Sequence, residues 1–341
     1  MENYCLRVLI LLVTVTYVAY GKKVCITSSP DQPCIASCSK DESCLTLDQY
    51  FLQEYMRNTS DPVSRNISLE LLPGTHSLEL GSLSASYYTL SHKDFFEITS
   101  DNATIICNNS SRDILFNIST VQINGIKFID CKVFTFLVNM LSIENSIVLR
   151  QHSWHISAPT SRHTAEVSQI AIIGTSFING FTLEVSCCTL VVRLSTFINL
   201  TTRHTCANGG AIRFNGNNLT VQESTFQNNS AIGTTCSESK WSQGGNGGAI
   251  YVSFNSNLKV RVSSSDFFGN NATHSGGVLS VQGGSVGIFN SSFSSNWGGR
   301  YAGALLFQSS LHGGASIASC NFTYNVAGMK GGVLYISKSF F

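Results

Sequence analysis

The chain has 341 residues, a formal net charge of +1 and 12% charged residues, about half the share usual in soluble proteins. A net charge this small excludes a strong electrostatic pull toward nucleic acid or an anionic membrane. Five prolines and abundant Ser, Thr, Asn and Gly favour many short strands joined by tight turns, and they disfavour a helical enzyme.

The N-terminus has the pattern of a secretory signal. Arg7 precedes an apolar run of twelve residues from Val8 to Ala19, and Ala19 and Gly21 are small residues at the spacing that signal peptidase accepts. We therefore predict a signal peptide over 1–21, cleaved before Lys22. An uncleaved anchor is the alternative, although a membrane span needs about 20 apolar residues. No second run of spanning length follows, so we expect no membrane span in this chain.

A cysteine-rich segment follows. In a secreted protein, cysteines are read first as disulfides. The spacing lacks the paired C-x₂-C of zinc knuckles, which argues against zinc. We predict a disulfide-rich N-terminal cap over 22–60, with one short helix around Leu47 to Met56. Its candidate disulfide cysteines are Cys25, Cys34, Cys38 and Cys44.

A phenylalanine then recurs in a frame close to S/T-x-F-x-x-N. The residues seven and five positions before it are apolar each time, and a spacing of two places both on one face of a strand. We predict that each phenylalanine lies on that of the next copy, as an internal ladder. The predicted ladder is Phe128, Phe177, Phe197, Phe226, Phe267, Phe293 and Phe322.

A glycine block alternates with the phenylalanine frame, and an apolar residue follows two positions after it. The Gly-Gly fits a sharp bend where a Cβ is excluded. Successive blocks are 38, 29, 26 and 29 residues apart, which indicates one turn of a solenoid per block. The blocks are Gly209-Gly-Ala-Ile212, Gly247-Gly-Ala-Ile250, Gly276-Gly-Val-Leu279, Ala302-Gly-Ala-Leu305 and Gly331-Gly-Val-Leu334.

Together these patterns predict an all-β chain folded as a parallel β-helix, or solenoid. We expect irregular turns over 61–206 and regular turns over 207–341. A β-sandwich is the alternative, but it needs no fixed offset between the two blocks. No polar cap follows the final turn, so we expect that turn to be uncapped and the chain to be truncated or to self-associate through that end.

The two alternating blocks, G-G-A/V-I/L and F-x-x-N, resemble the repeats of the chlamydial polymorphic membrane proteins. Similar repeats occur in secreted animal β-helix proteins of the pectin-lyase-like class. The N-terminal order of Cys44-Leu-Thr-Leu-Asp-Gln-Tyr50, Leu71-Leu-Pro-Gly-Thr-His76, Ile105-Ile-Cys107 and Ile126-Lys-Phe-Ile-Asp-Cys131 is similar to the capping region of the animal group. The resemblance implies a right-handed parallel β-helix and implies little about function.

The sequence offers weak candidates for catalysis. Glycosidases and lyases on this fold need converging carboxylates or a calcium site with a basic residue. After Cys206 only Glu223, Glu238 and Asp266 are acidic, and no Asp-Asp pair occurs in the chain. The string Gly283-Gly-Ser-Val-Gly287 matches G-x-S-x-G, but Val286 is an expected core position, no helix is expected after it, and no Asp or Glu occurs after Asp266.

Metal sites have equally weak support. His152, His155 and His163 are one zinc hypothesis, against which solvated loop histidines are the ordinary reading. We expect no cofactor and no resident metal.

Glycosylation and further disulfides are expected in the secretory pathway. Cys107 with Cys131, and Cys206 with Cys236, are each separated by about one turn and are therefore plausible pairs. Twelve N-x-S/T sequons are about twice what this composition would scatter. They are Asn58, Asn66, Asn102, Asn108, Asn109, Asn117, Asn199, Asn218, Asn228, Asn271, Asn290 and Asn321.

These observations favour a secreted, non-enzymatic scaffold or adhesion module that binds extracellular proteins or carbohydrates. A pectin-lyase-like carbohydrate-active enzyme and the ectodomain of a cell-surface receptor are the alternatives. Converging carboxylates would favour the first of these, and a membrane span further along the chain would favour the second.

Overall fold

The computed structural model describes residues 22–27, 45–46, 66–78, 87–107, 113–131, 134–150, 154–157, 168–234, 244–253, 257–309 and 314–338. These residues are all-β, with no helix among them. The predicted signal peptide and the predicted helix lie outside them. The strands are β1 (Lys22–Thr27), β2 (Leu45–Thr46), β3 (Asn66–Leu71), β4 (Gly74–Leu78), β5 (Tyr87–Cys107), β6 (Asp113–Ile129), β7 (Phe134–Leu137), β8 (Met140–Glu144), β9 (Ile147–Leu149), β10 (Trp154–Ser157), β11 (Gln169–Ile173), β12 (Ser176–Ile178), β13 (Leu183–Arg193), β14 (Thr196–Ile198), β15 (Thr201–Thr205), β16 (Ile212–Gln222), β17 (Thr225–Gln227), β18 (Ser230–Thr234), β19 (Ile250–Val252), β20 (Lys259–Ser263), β21 (Asp266–Phe268), β22 (Asn271–Ala272), β23 (Leu279–Gln282), β24 (Ser285–Phe289), β25 (Ser292–Ser294), β26 (Trp297–Gly298), β27 (Leu305–Ser309), β28 (Ala315–Ala318), β29 (Asn321–Thr323), β30 (Val326–Ala327) and β31 (Leu334–Lys338).

From β6 onward the strands fall into four columns, within which every pairing is parallel. Column A contains the first part of β6, then β7, β10, the first part of β13 and of β16, β19, β23, β27 and β31. Column B contains the middle of β6, then β8, β11, the second part of β13 and of β16, β20, β24 and β28. Column C contains the end of β6, then β9, β12, β14, β17, β21, β25 and β29. Column D is a separate sheet of five strands, β15, β18, β22, β26 and β30. One strand of column B with the column C strand that follows it is here called a copy.

Column C places the predicted phenylalanine ladder in register. Phe177, Phe197, Phe226, Phe267, Phe293 and Phe322 pair in succession along the column. Their rings stack nearly parallel, with centroids 4.7 to 5.1 Å apart. The first five are at most 2% exposed, and Phe322 is half-buried. Burial of each ring stabilises the fold by roughly 2 to 3 kcal/mol, so this ladder is the centre of the core.

Phe128 departs from the prediction, because it is not stacked on Phe177. Val148 pairs with both phenylalanines and occupies the level between them. Trp154 packs edge-on to Phe128 at 5.8 Å and to Phe177 at 5.9 Å, and it fills the space that the smaller valine leaves. The sequence pattern missed this copy because valine replaces the marker residue.

Two left-handed corners define each copy. The residue three positions before the ladder residue, between columns B and C, has φ between 47° and 71°; it is Gly125, Asn145, Gly174, Leu194, Glu223, Ser264, Asn290 and Ser319 in turn. The residue two positions after the ladder residue, at the end of column C, has φ between 51° and 65°; it is Asp130, Arg150, Asn179, Asn199, Asn228, Gly269, Ser295 and Tyr324. Glycine and asparagine tolerate this conformation best, which explains much of the Asn and Gly content.

Buried polar ladders follow both corners. After the B/C corner, hydroxyls accept a backbone N–H from the preceding copy at 3.2 to 3.4 Å and donate to a carbonyl two residues earlier; they belong to Ser146, Thr175, Ser195, Ser224, Ser265 and Ser291. Cys320 has this position in the last described copy, where its thiol donates to a backbone carbonyl. After the second corner, asparagine carboxamides form a row in which each Nδ2 donates a hydrogen bond to the Oδ1 of the next copy. The row runs from buried Asn229 through Asn270 and Asn296 to Asn325. The ladders satisfy backbone groups that the corners remove from strand pairing.

The Gly-Gly blocks form the bend before column A. Their first residue is left-handed, with φ of 66° to 73° at Gly209, Gly247, Gly276 and Gly331. Ala302 adopts the same conformation, at φ 55°. A Cβ on the second glycine of the block, as at Gly303, would overlap the backbone of the next copy. The block is therefore required by backbone contact between copies, as the sequence indicated.

The N-terminal segment is described in part. β1 pairs in parallel with β2 and with β3, and Cys25 lies in β1. Cys107 and Cys131, which the spacing pairs, form a disulfide. Cys206 is also disulfide-bonded. Its predicted partner Cys236 lies outside the described residues, as do Cys34, Cys38 and Cys44, so those pairings stay predictions.

Candidate functional site

Inward positions are filled by the core, so a functional site has to be sought on the outward faces of the columns. On column A, Glu184 contacts two neighbours in register: His155 Nδ1 at 3.0 Å and Arg213 Nη1 at 3.4 Å. The hydrogen bond from His155 holds the pKa of Glu184 below its ordinary value, Arg213 acts in the same direction, and burial opposes both. This trio is a half-exposed ion network, of a kind that contributes about 1 kcal/mol or less to stability.

The outward face of column A is closed in the later copies. Tyr251, Ser280 and Leu306 continue the outward row of Glu184 and Arg213, yet they are 8%, 0% and 3% exposed. The Gly-Gly bend of the preceding copy lies against Leu306, since a Cβ on Gly276 would be 3.2 Å from Leu306 Cβ. Burial raises the pKa of Tyr251, whose hydroxyl lies 3.2 Å from Gln282 Oε1. A ligand has no access to this face.

A histidine lies beside this closed face. His274 Nδ1 lies 2.9 Å from Asn246 Oδ1 and 2.8 Å from Ser275 Oγ. Burial lowers the pKa of His274 to about 4, with Arg300 acting in the same direction. The imidazole is therefore neutral at physiological pH, and its polar contacts within the turn are those of a structural residue.

The catalytic candidates do not form a site among the described residues. Glu223 is exposed at a corner and bonded to Gln222, and Asp266 is exposed at the start of β21. Ser285 of the G-x-S-x-G string is an exposed residue at the start of β24, followed by the buried core residue Val286. Within the described residues no cluster of three or more His, Cys, Asp or Glu could hold a metal ion. His152 and His163 lie outside the described residues.

The sequons fall mainly on exposed positions. Asn199 and Asn228 stand at adjacent left-handed corners, and Asn290 stands at the other corner. Asn271 differs, because its side chain is half-buried and its Oδ1 has no hydrogen-bond partner among the described residues. The exposed sequon asparagines are Asn102, Asn117, Asn199, Asn218, Asn228, Asn290 and Asn321. Asn58, Asn108 and Asn109 lie outside the described residues, as does the side chain of Asn66.

Comparison with known families supports the repeat. Residues 223–253 match the repeat of the Chlamydia polymorphic membrane protein. This segment runs from the corner before Phe226, through Asn229 and β18, to the end of β19, and it contains one F-x-x-N frame and one Gly-Gly block. The chain is thus similar to that repeat over one short segment, and the animal and pectin-lyase-like resemblance has no support here. No curated protein and no solved structure matches the chain. No helix in the described part is long and apolar enough to cross a membrane.

Proposed function

We propose that this chain is a secreted, glycosylated scaffold or adhesion module built as a right-handed parallel β-helix. Its outward faces bind extracellular proteins or carbohydrates, and it has no catalytic activity. The observation that carries the proposal is the unbroken parallel register of column C over successive copies, which stacks the ladder side chains on one another in the core.

The order of the strand pairings supports the solenoid part of this proposal. Within columns A, B and C, each strand apart from those at the ends of a column pairs with the equivalent strand one copy earlier and one copy later, and the chain visits the columns in a fixed order. A continuous coil is the simplest path that satisfies both conditions. The right hand is the usual sense of parallel crossover connections.

Secretion is inferred from three features of different origin. The N-terminal segment has the pattern of a signal peptide, sequons lie on exposed asparagines, and a disulfide joins Cys107 to Cys131. Disulfides of this kind persist in oxidising compartments. The same three features are also expected of a receptor ectodomain at a cell surface.

The enzyme alternative has less support. A glycosidase of this fold needs a carboxylic acid kept protonated in a shielded setting, opposite a second carboxylate. Glu223 and Asp266 are instead exposed on the outer surface.

The proposal is tested on the chain secreted from eukaryotic cells. We expect its apparent mass to fall on treatment with an endoglycosidase, and we expect the immobilised chain to bind at least one member of a panel of matrix proteins and polysaccharides. The same chain, reduced and heat-unfolded, is the control for non-specific binding. Retention inside the cells, or release of cleaved polysaccharide by the purified chain, would overturn the proposal.

A further inference from the structure

The copies between Ile129 and Ile198 have an outward surface unlike that of the rest of the chain. Along the outward rows of columns B and C, nine aliphatic side chains stand here among the polar residues Ser142, Glu144, Ser176, Arg193 and Thr196, whereas the next copy has Thr220, Gln222 and Gln227 at positions equivalent to aliphatic ones. This aliphatic face consists of Ile129, Ile147, Leu149, Ala171, Ile173, Ile178, Val191, Leu194 and Ile198. All nine remain partly or fully exposed, which is unfavourable unless something covers them.

Leu194 adds a second unfavourable free-energy term to the aliphatic face. It occupies a left-handed corner, with φ 51°, and it is 52% exposed. Other copies have Gly, Asn, Ser or Glu at this corner. A leucine there costs roughly 1 to 2 kcal/mol in backbone conformation, and the burial of its side chain within the chain is only partial. A contact with another molecule would supply the missing burial.

The sequons avoid this part of the chain. No N-x-S/T occurs from 118 to 198, which is the longest interval between consecutive sequons among the twelve. Asn117 and Asn199 bound the interval. A surface that docks against protein has to be free of bulky glycans.

The charges of the face are arranged with opposite signs about its centre. In the outward row of column B, Ile173 pairs with Glu144 on one side and with Arg193 on the other. One copy further out, Lys127 lies near the B/C corner on the side of Glu144, and Glu223 lies at that corner on the side of Arg193. If the order of the copies is reversed, Glu144 and Arg193 exchange places, and so do Lys127 and Glu223. A negative charge then stands where a positive charge stood, and the reverse.

We propose that the aliphatic face docks a second copy of this chain through a twofold axis at Ile173. An axis along the strand direction keeps each position in its row and reverses the order of the copies. Ile173 and Ile178 then meet their own equivalents, Glu144 faces the second molecule's Arg193, and Lys127 approaches Glu223. The charge pattern favours a second copy over an unrelated partner, because the face is complementary to itself.

The test is sedimentation velocity across a concentration series, with the glycosylated chain secreted from eukaryotic cells. Wild type is expected to form a dimer. Arg193→Glu places like charges opposite each other at two symmetric points, and we expect dimerisation at least roughly 100-fold weaker. Glu144→Arg should weaken it similarly, and the variant with both changes should dimerise again. Arg261→Glu, an outward change in column B beyond the face, is the control that should leave the dimer unchanged.

Circular dichroism and thermal unfolding establish that each variant is folded. A wild-type chain that stays monomeric at all concentrations overturns the proposal, including the case in which the face captures a different protein. A dimer that persists in Arg193→Glu, or that the double variant fails to restore, also overturns it. None of these outcomes depends on which ligand the scaffold binds.

Discussion

The asparagine ladder allows a sharp test of how the copies are held together. Asn270 is fully buried, and its Oδ1 accepts hydrogen bonds from the backbone N–H and the Nδ2 of Asn229, both at 3.0 Å. Its Nδ2 donates to the Phe226 carbonyl at 2.9 Å and to Asn296 Oδ1 at 3.0 Å. Substitution by alanine removes all four bonds at once.

The cost follows from what is left unpaired. In Asn270→Ala, the buried Asn229 N–H loses the partner that the ladder supplies, which costs about 1 to 3 kcal/mol. Asn229 Nδ2 still donates to the Phe197 carbonyl, and Asn296 Oδ1 still accepts the N–H of residue 270, so those losses are smaller. We expect the free energy of unfolding to fall by about 3 kcal/mol. Asn270→Asp keeps the shape but buries a charge and removes both donors, and it should cost more.

Urea unfolding followed by circular dichroism measures the loss, and hydrogen exchange at Asn229 locates it. Asn325→Ala is the matched control, because its carboxamide is only partly buried and water can replace part of its bonding; we expect a loss of about 1 kcal/mol. A change within about 0.5 kcal/mol for Asn270→Ala would refute the view that the ladder satisfies buried backbone groups.

Other predictions follow from the bend, the core and the buried imidazole. Ala302→Gly should raise the unfolding free energy by about 0.5 kcal/mol in urea titrations, because it relieves an alanine in the left-handed conformation. Gly303→Ala should lower the unfolding free energy by several kcal/mol, because the new Cβ would overlap the Gly332 carbonyl. Equal effects of the two changes would contradict this reading. Phe267→Asp should abolish secretion of folded protein, because an unpaired buried carboxylate costs about as much as the whole fold gains; normal yield and protease resistance would be inconsistent with the ladder. The pKa of His274 is lowered to about 4 from 6.5, so the unfolded chain binds more protons in that interval and stability falls as pH drops from 6.5 to 4. After discounting for partial exposure, thermal unfolding of His274→Gln should show roughly 1 to 2 kcal/mol less of this acid-dependent loss than wild type; an unchanged pH profile would argue against it.

The left-handed corners change how the sequons are interpreted. Asn199, Asn228 and Asn290 occupy positions where asparagine is favoured by φ alone. Part of the sequon excess is therefore a consequence of the fold, and each of these positions needs its own test of occupancy. Asn218 and Asn321 lie within strands, where this explanation does not apply.

The phenylalanine ladder could be predicted from Phe177 onward because its marker residue is large, apolar and repeated at a constant place in the frame. The copy at Val148 could not, because a valine in a β-rich chain carries no marker. The asparagine of F-x-x-N was recognisable as a pattern, but its hydrogen-bonding role was not. Its carboxamide meets the carboxamide of the equivalent asparagine only when the copies are stacked.

The sequence by itself determined the period of the chain, the inward positions and the bends that exclude a Cβ, because hydrophobic spacing and glycine requirements are local properties. Which outward faces stay open was decided only by tertiary structure. Tyr251 and Leu306 on the outward row of column A are buried, and a bend from the preceding copy lies against Leu306, whereas the face at Ile173 and Leu194 is left exposed. Exposure depends on contacts between copies that are some 20 to 40 residues apart, and no local pattern records those contacts.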